Sequence, residues 1–156
     1  MTVKTFVEVN DLVVSLRGNL LVATSSTITT MAANAIIPDG QFRLKEKDFK
    51  MSLVHQSLIK PVKADLKALL DDGAVTPPSS IKIYDQPILR EGIFEPQNGV
   101  SVFRSGFALV VDEKSQDDLE LWVHVLLTTL GVEKREKRDF HISVSNLTGN
   151  PGDSLR

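Results

Sequence analysis

The sequence predicts a single α+β domain, and three observations lead to that prediction. Short segments of alternating apolar residues indicate strands in both halves of the chain. Each half also contains one segment with apolar residues at helical spacing, at 61–70 and at 115–130. The length of 156 residues suffices for one domain with a substantial core. We therefore expect one domain over 1–156.

The composition excludes several classes of function. A net charge of -2 argues against a protein that grips long double-stranded nucleic acid through a broad basic surface. The chain has no cysteine, so it has no disulfide framework and no thiolate metal site. Its three histidines do not stand at paired ligand spacing, which argues against a zinc site. We expect neither a metal nor another cofactor.

The start of the chain and its hydropathy bear on location. Residues 1–4 lack the basic-then-apolar layout of a secretion signal. No apolar run approaches the length that a membrane span needs. We therefore expect a cytoplasmic protein with no membrane association, and the sequence leaves its oligomeric state open.

The first half is predicted to hold strands followed by a helix. Turn signals and periodicity give, in order, a strand or hairpin over 3–16, a strand over 20–23 and a loop or polar strand face over 24–30. A short helix over 31–37, a strand over about 49–58 and a helix over 61–70 follow. An alternative for 24–30 is that its serine and threonine hydroxyls bind a ligand.

The second half follows a polar, proline-rich segment at 76–80 that resembles a linker. The predicted elements are strands over 81–89, 91–94 and 100–111, and a helix over 115–130 with Ser115 as its N-cap. The buried stripe of that helix is expected to contain Leu119, Trp122, Val123, Leu126, Leu127 and Leu130.

A final strand over 137–146 carries the most informative pattern. Alternation places three polar residues on one face, namely His141, Ser143 and Ser145. The opposite, buried face would carry Phe140, Ile142 and Val144. An imidazole two residues from a hydroxyl on the polar face of a strand is a candidate contact for phosphate.

An upstream segment repeats this pattern. Residues 46–54 present charged residues, Asp-Phe, a basic residue, an apolar residue and a serine in the same order as the final strand. Lys50 and Ser52 then occupy the positions of the later histidine and serine. His55 begins a His-x-Ser triplet of its own with Ser57, which gives a second candidate register. The repeat favours the Lys50 register, and alternation assigns His55 to the opposite face with a structural role.

Two such strands facing one cleft would hold a phosphodiester between them. Hydroxyls and cationic groups stabilise charge on the pentavalent phosphorus, and a histidine with a pKa near neutrality can move protons. The loop at 147–154 follows directly. It is either a disordered terminus or a segment whose amides and asparagine side chains edge the pocket.

These two motifs resemble those of the 2H phosphoesterase superfamily, whose two His-x-Thr/Ser motifs face each other across a two-lobed α+β fold. The resemblance extends over about 45–154, and 140–144 is a good match to the second motif. Residues 50–55 resemble the first motif of the cyclic-phosphodiesterase domains of RNA-repair ligases, except at the first residue. The resemblance implies antiparallel sheets that line a central cleft, helices outside, and lobes at about 1–75 and 80–156.

The family's site residues carry over only in part. In the family the two histidines act as general base and general acid, and the hydroxyls bind phosphate. The resemblance therefore implies a catalytic role for His141 and phosphate binding by Ser52 and Ser143. Lys50 replaces the first histidine, and an ordinary lysine, with a pKa of about 10.4, is a poor base at neutral pH. Burial beside another cation would lower that pKa. Candidate residues at the pocket edge are Asn146, Asn150 and Tyr84.

The implied activity is metal-independent hydrolysis of a small nucleotide phosphodiester. The substrate classes are a 2′,3′-cyclic phosphate, including an RNA end, a 2′,5′-linked oligonucleotide and a cyclic oligonucleotide. A non-catalytic nucleotide-binding protein that uses the same cleft is the first alternative. The second is a structural protein in which both motifs are ordinary strands.

Overall fold

A computed structural model gives the fold and describes residues 5–94, 99, 101–133 and 137–154. Residues 1–4 and 100, which fall within predicted features, lie outside the described part. The strands are β1 (Phe6–Val9), β2 (Val13–Arg17), β3 (Leu20–Thr24), β4 (Phe42–Arg43), β5 (Met51–Val54), β6 (Ile81–Tyr84), β7 (Ile88–Phe94), β8 (Val102–Val110) and β9 (His141–Asn146). The helices are α1 (Ser26–Asn34), α2 (Gln56–Ile59), α3 (Lys63–Asp71) and α4 (Glu113–Thr129).

The described strands form antiparallel sheets, which confirms the predicted α+β class. Seven strands make one sheet in the order β2-β3-β5-β9-β8-β7, with β4 pairing on β9. The strands β1 and β6 form a separate pair. β1, from the first half of the chain, therefore pairs with β6 from the second half.

The large sheet consists of two similar halves that meet at its centre. Outward from the centre, β5 pairs with β3 and then β2, whereas β9 pairs with β8 and then β7. Within the described residues, β5 and β9 share one paired position, where Met51 lies opposite Ile142. The two strands that carry the repeated sequence pattern are thus neighbours.

Both central strands contain a β-bulge at the same place in the repeat. Leu53 is the extra residue of β5 against β3, because Leu21 pairs with Val54 and Val22 pairs with Ser52. Val144 is the extra residue of β9 against β8, because its neighbours Ser143 and Ser145 pair with consecutive residues. Each bulge directly follows the serine of its motif. Bulges of this kind often occur beside functional sites, where they redirect a side chain.

The buried face of the sheet packs against the helices. Phe140, Ile142 and Val144 are each 0% exposed, as alternation predicts. They join one core cluster with residues from β5 and from the helices: Met51, Leu53, Ile28, Ala32, Leu66, Leu119, Val123, Leu126 and Leu127. Trp122 and Leu130 pack against that cluster, so the predicted stripe of α4 is confirmed.

Helix α1 begins where the sequence predicts a loop or polar strand. Ser25 caps it, because its hydroxyl accepts a hydrogen bond from the Ile28 amide at 2.9 Å. Asp11 adds two bonds at the same end, from the Ser26 hydroxyl at 2.7 Å and the Thr27 amide at 3.2 Å. The prediction of a loop over 24–30 is therefore wrong, and the helix predicted over 31–37 starts and ends earlier.

Other element boundaries also differ from the sequence prediction, and two of the differences involve helix caps. The strand expected over 49–58 ends at Val54, because His55 caps the short helix α2. Helix α4 is capped by Asp112, whose carboxylate accepts from the Ser115 amide at 2.8 Å, so Ser115 is not the cap. The Ser115 hydroxyl instead accepts from the Lys82 amide, also at 2.8 Å. None of the helices in the described part is long and apolar enough to cross a membrane.

Gly106 allows β8 and β9 to approach closely. A Cβ added there would lie 2.4 Å from the backbone oxygen of Ser145, so the strands would have to move apart. We expect Gly106→Ala to lower the free energy of unfolding by about 1–3 kcal/mol, as overpacking does. Urea unfolding measures this change, and an unchanged midpoint would show that β9 tolerates the displacement.

Candidate functional site

The four motif residues converge on one side of the sheet centre. Because β5 and β9 are antiparallel and Met51 lies opposite Ile142, the flanking positions also face each other. Lys50 therefore lies across from Ser143, and Ser52 lies across from His141. All four side chains line one cavity of about 300 Å³, which we call the motif cavity.

The remaining walls of the motif cavity come from several segments. They are Leu20, Leu44, Asp48, His55, Gln56, Arg138, Pro151, Gly152 and Ser154. Lys50 and Arg138 bring two cationic groups, whereas Asp48 brings one carboxylate. Three serines, two histidines and Gln56 complete the polar lining. This set of donors and cations suits an anionic ligand of the size of a phosphate group.

His141 is arranged to accept a proton inside the cavity. Its Nδ1 lies 2.8 Å from the backbone oxygen of Asp139, so Nδ1–H donates to that carbonyl. Nε2 then carries the lone pair. Burial lowers the pKa of the imidazole below its ordinary value of 6.5, the bond to Asp139 opposes this, and the Arg90 charge lowers the pKa further. The imidazole is therefore neutral at pH 7.

Lys50 is half-buried, and its surroundings alter its basicity. Burial lowers the pKa of the ammonium group from 10.5, the Asp48 carboxylate raises it, and the Arg17 charge lowers it. This is the direction that would bring a lysine closer to proton transfer at neutral pH. Arg17 is thus a neighbouring cation whose charge acts on the pKa of Lys50 in the direction that the sequence argument considered.

Arg138 is a cavity residue that the sequence reasoning missed. Its Nε donates to the backbone oxygen of Ser52 at 3.0 Å, and its own amide donates to Glu120 Oε1 at 2.8 Å. The first bond holds the guanidinium beside Ser52, and the second fixes the Arg138 backbone. Its place three residues before His141, within the charged run at the start of the strand, was the available signal.

His55 also lines the motif cavity, although alternation placed it on the opposite face with a structural role. The strand ends before it, so the alternation does not extend to this residue. Its Nδ1 accepts from the Ser57 amide at 3.1 Å and lies 2.8 Å from the Ser57 hydroxyl. The residue is therefore both a helix cap and part of the cavity wall.

The loop after β9 folds back toward the cavity. Asn146 is 0% exposed. Its Nδ2 donates to the backbone oxygen of Asn150 at 2.6 Å and to the Ser154 hydroxyl at 3.0 Å. Asn150 Oδ1 in turn accepts from the Gly152 amide at 2.9 Å. The two asparagines thus shape the loop, and it is the loop's end that reaches the cavity, through Pro151, Gly152 and Ser154.

None of the three residues that the sequence suggested for the pocket edge lines the motif cavity. Neither Asn146 nor Asn150 is among the residues that line the motif cavity. Tyr84 also does not line it, since this residue ends β6 and its ring lies 4.4 Å from the Phe6 ring, measured between centroids. Among the described residues, no three histidine, aspartate or glutamate side chains group together as metal ligands do.

Comparisons of the chain with protein-family models, with curated proteins and with solved structures gave no match. The function is therefore argued from the motif cavity itself.

Proposed function

We propose that the chain is a metal-independent phosphodiesterase of the 2H phosphoesterase type, acting on a small nucleotide in the cytoplasm. One observation carries the proposal: Lys50, Ser52, His141 and Ser143 line one cavity from two adjacent strands. The proposal includes the two-lobed arrangement of that superfamily, with one lobe on each side of the β5–β9 junction. The substrate is a 2′,3′-cyclic phosphate, a 2′,5′-linked oligonucleotide or a cyclic oligonucleotide.

The proposed reaction assigns one task to each group. The Ser52 and Ser143 hydroxyls donate to the two non-bridging oxygens of the phosphate, and Arg138 balances their charge. His141 Nε2 takes a proton from the attacking water as the new P–O bond forms. The Lys50 ammonium gives a proton to the leaving oxygen as the other P–O bond breaks. Proton return from His141 to Lys50 through solvent restores the site.

The lysine sets the expected rate. A proton-transfer group whose pKa lies near the working pH raises the reaction rate by about 10²–10⁴-fold. Lys50 has a lowered pKa, yet it starts from 10.5, further from neutrality than a histidine. We therefore propose a slow enzyme.

The same lysine favours the alternative function, a nucleotide-binding protein without turnover. A permanently charged ammonium group at this position would bind the phosphate without moving a proton. A product assay across cyclic and 2′,5′-linked nucleotides, with calorimetry alongside, separates the two functions. Product formation supports the enzyme. Binding without product selects the alternative, and the absence of both contradicts the two proposals together.

Replacing Lys50 with histidine should raise turnover by about tenfold or more, because an imidazole titrates near neutrality. Initial rates at pH 7 on the best substrate of the panel measure the effect. Lys50→Gln serves as the matched control, since glutamine is polar but lacks the ammonium group that donates the proton. A Lys50→His rate equal to or below that of the natural protein would show that the lysine has a role other than proton transfer.

A further inference from the structure

A second, larger cavity adjoins the motif cavity. It has a volume of about 780 Å³, and we call it the adjacent cavity. His55 and Arg138 line both cavities, so these two side chains stand at the boundary between them. A ligand that extends from the motif cavity into the second cavity therefore passes beside these two side chains.

The walls of the adjacent cavity combine an apolar floor with a charged rim. The floor consists of Leu53, Val54, Leu58, Val123 and Leu127. The rim carries the cations Lys137 and Arg138, with His55, Ser57 and Glu133 beside them. Small-molecule sites have this composition, and their volumes run from roughly 300 to 1,000 Å³. A nucleoside presents a flat, largely apolar base to such a floor, and a further phosphate can meet the cationic rim.

His55 is held in one orientation at the boundary. Because its Nδ1 accepts from the Ser57 amide, the neutral ring carries its proton on Nε2. That N–H is a hydrogen-bond donor, and the ring that bears it lines both cavities. A ligand oxygen at the boundary is a suitable acceptor for this exposed donor.

We infer that the adjacent cavity is a nucleoside subsite, and that His55 contacts the ligand where it crosses from the phosphate. The inference rests on the proposed function and narrows it. One nucleoside of the substrate occupies the adjacent cavity while its phosphate lies in the motif cavity. A mononucleoside 2′,3′-cyclic phosphate and a dinucleoside monophosphate both carry such a nucleoside, whereas inorganic phosphate leaves the adjacent cavity unused.

Calorimetry in a His141→Ala background, where turnover does not accompany binding, tests this inference. The ligands are a 2′,5′-linked dinucleoside monophosphate, a mononucleoside 2′,3′-cyclic phosphate and inorganic phosphate. We expect both nucleotides to bind about tenfold more tightly than inorganic phosphate, a margin that one well-placed hydrogen bond or apolar group provides. Equal affinities for the nucleotides and inorganic phosphate would overturn the subsite, whereas the absence of binding by all three ligands would instead contradict the proposed function.

His55→Asn is the informative variant. An asparagine oxygen can accept from the Ser57 amide and so preserve the helix cap, but the variant has no ring at the boundary. We expect it to lose about tenfold in dinucleotide affinity while its melting temperature stays unchanged. The matched control is His124→Asn on the exposed side of α4, which should change neither quantity. Unaltered dinucleotide affinity in His55→Asn would remove His55 from the site.

Ser57→Trp tests the space itself, because Ser57 lines only the adjacent cavity of the two. A bulky ring there should obstruct the nucleoside and lower the ratio of dinucleotide to inorganic phosphate affinity by about tenfold. A ratio equal to that of the parent protein would show that the ligand does not enter this space.

Discussion

Replacing His141 with alanine is expected to lower the rate of diester hydrolysis about 10²–10⁴-fold, the contribution of one positioned proton-transfer group. The imidazole is the group best prepared for this task, because the Asp139 carbonyl fixes its tautomer and burial keeps it neutral at pH 7. Initial rates of product formation on the best substrate, measured with equal amounts of folded protein, give the effect directly.

Two controls belong with this variant. The natural protein should keep its full rate in a metal chelator, since the proposed reaction uses side chains alone. His124→Ala, on the exposed side of α4, should also keep it. If His141→Ala hydrolyses the substrate at the natural rate, the mechanism is wrong even if the cavity still binds nucleotide.

Replacing Phe140 with alanine should lower the free energy of unfolding by about 3–5 kcal/mol, the usual cost of removing a fully buried aromatic ring. The side chain is 0% exposed and lies in the core cluster directly before β9. Its amide donates to Gln116 Oε1 at 3.1 Å, a bond that the variant retains. The loss is therefore one of packing, and urea unfolding followed by far-ultraviolet circular dichroism measures it.

Phe103→Ala is the matched control for that measurement. This phenylalanine is 54% exposed on β8, so its removal leaves no buried void. We expect a change of about 0.5 kcal/mol or less, as for other surface substitutions. Similar losses in the two variants would mean that the core does not extend to the start of β9.

The elements with strong periodicity could be predicted from the sequence. Alternation identified the face of β9 that carries His141 and the face that is buried, and helical spacing identified the stripe of α4. The first turns of helix α1 were missed because serine and threonine favour helix less than most other residues, so the segment 24–30 did not resemble a helix.

The arrangement of the site was less accessible to sequence reasoning. The repeat indicated that Lys50 and His141 belong to equivalent strands, but their adjacency depends on pairing across 91 residues of chain (141 − 50). His55 was misplaced because the strand ends one residue before it. Histidine is also not among the residues that usually cap helices, so nothing in the local sequence marked the boundary.

Within the described residues, β5 and β9 share a single paired position, and the motif cavity lies over this junction. The width of the cavity therefore depends on how far apart these two strands are held. Backbone hydrogen bonds along a longer ladder would hold the two strands at a fixed separation. Here the side chains of that pair, Met51 and Ile142, are both 0% exposed and belong to the core cluster, so core packing also bears on the separation. A substitution deep in the core can therefore change the width of the motif cavity while every residue that lines it stays the same.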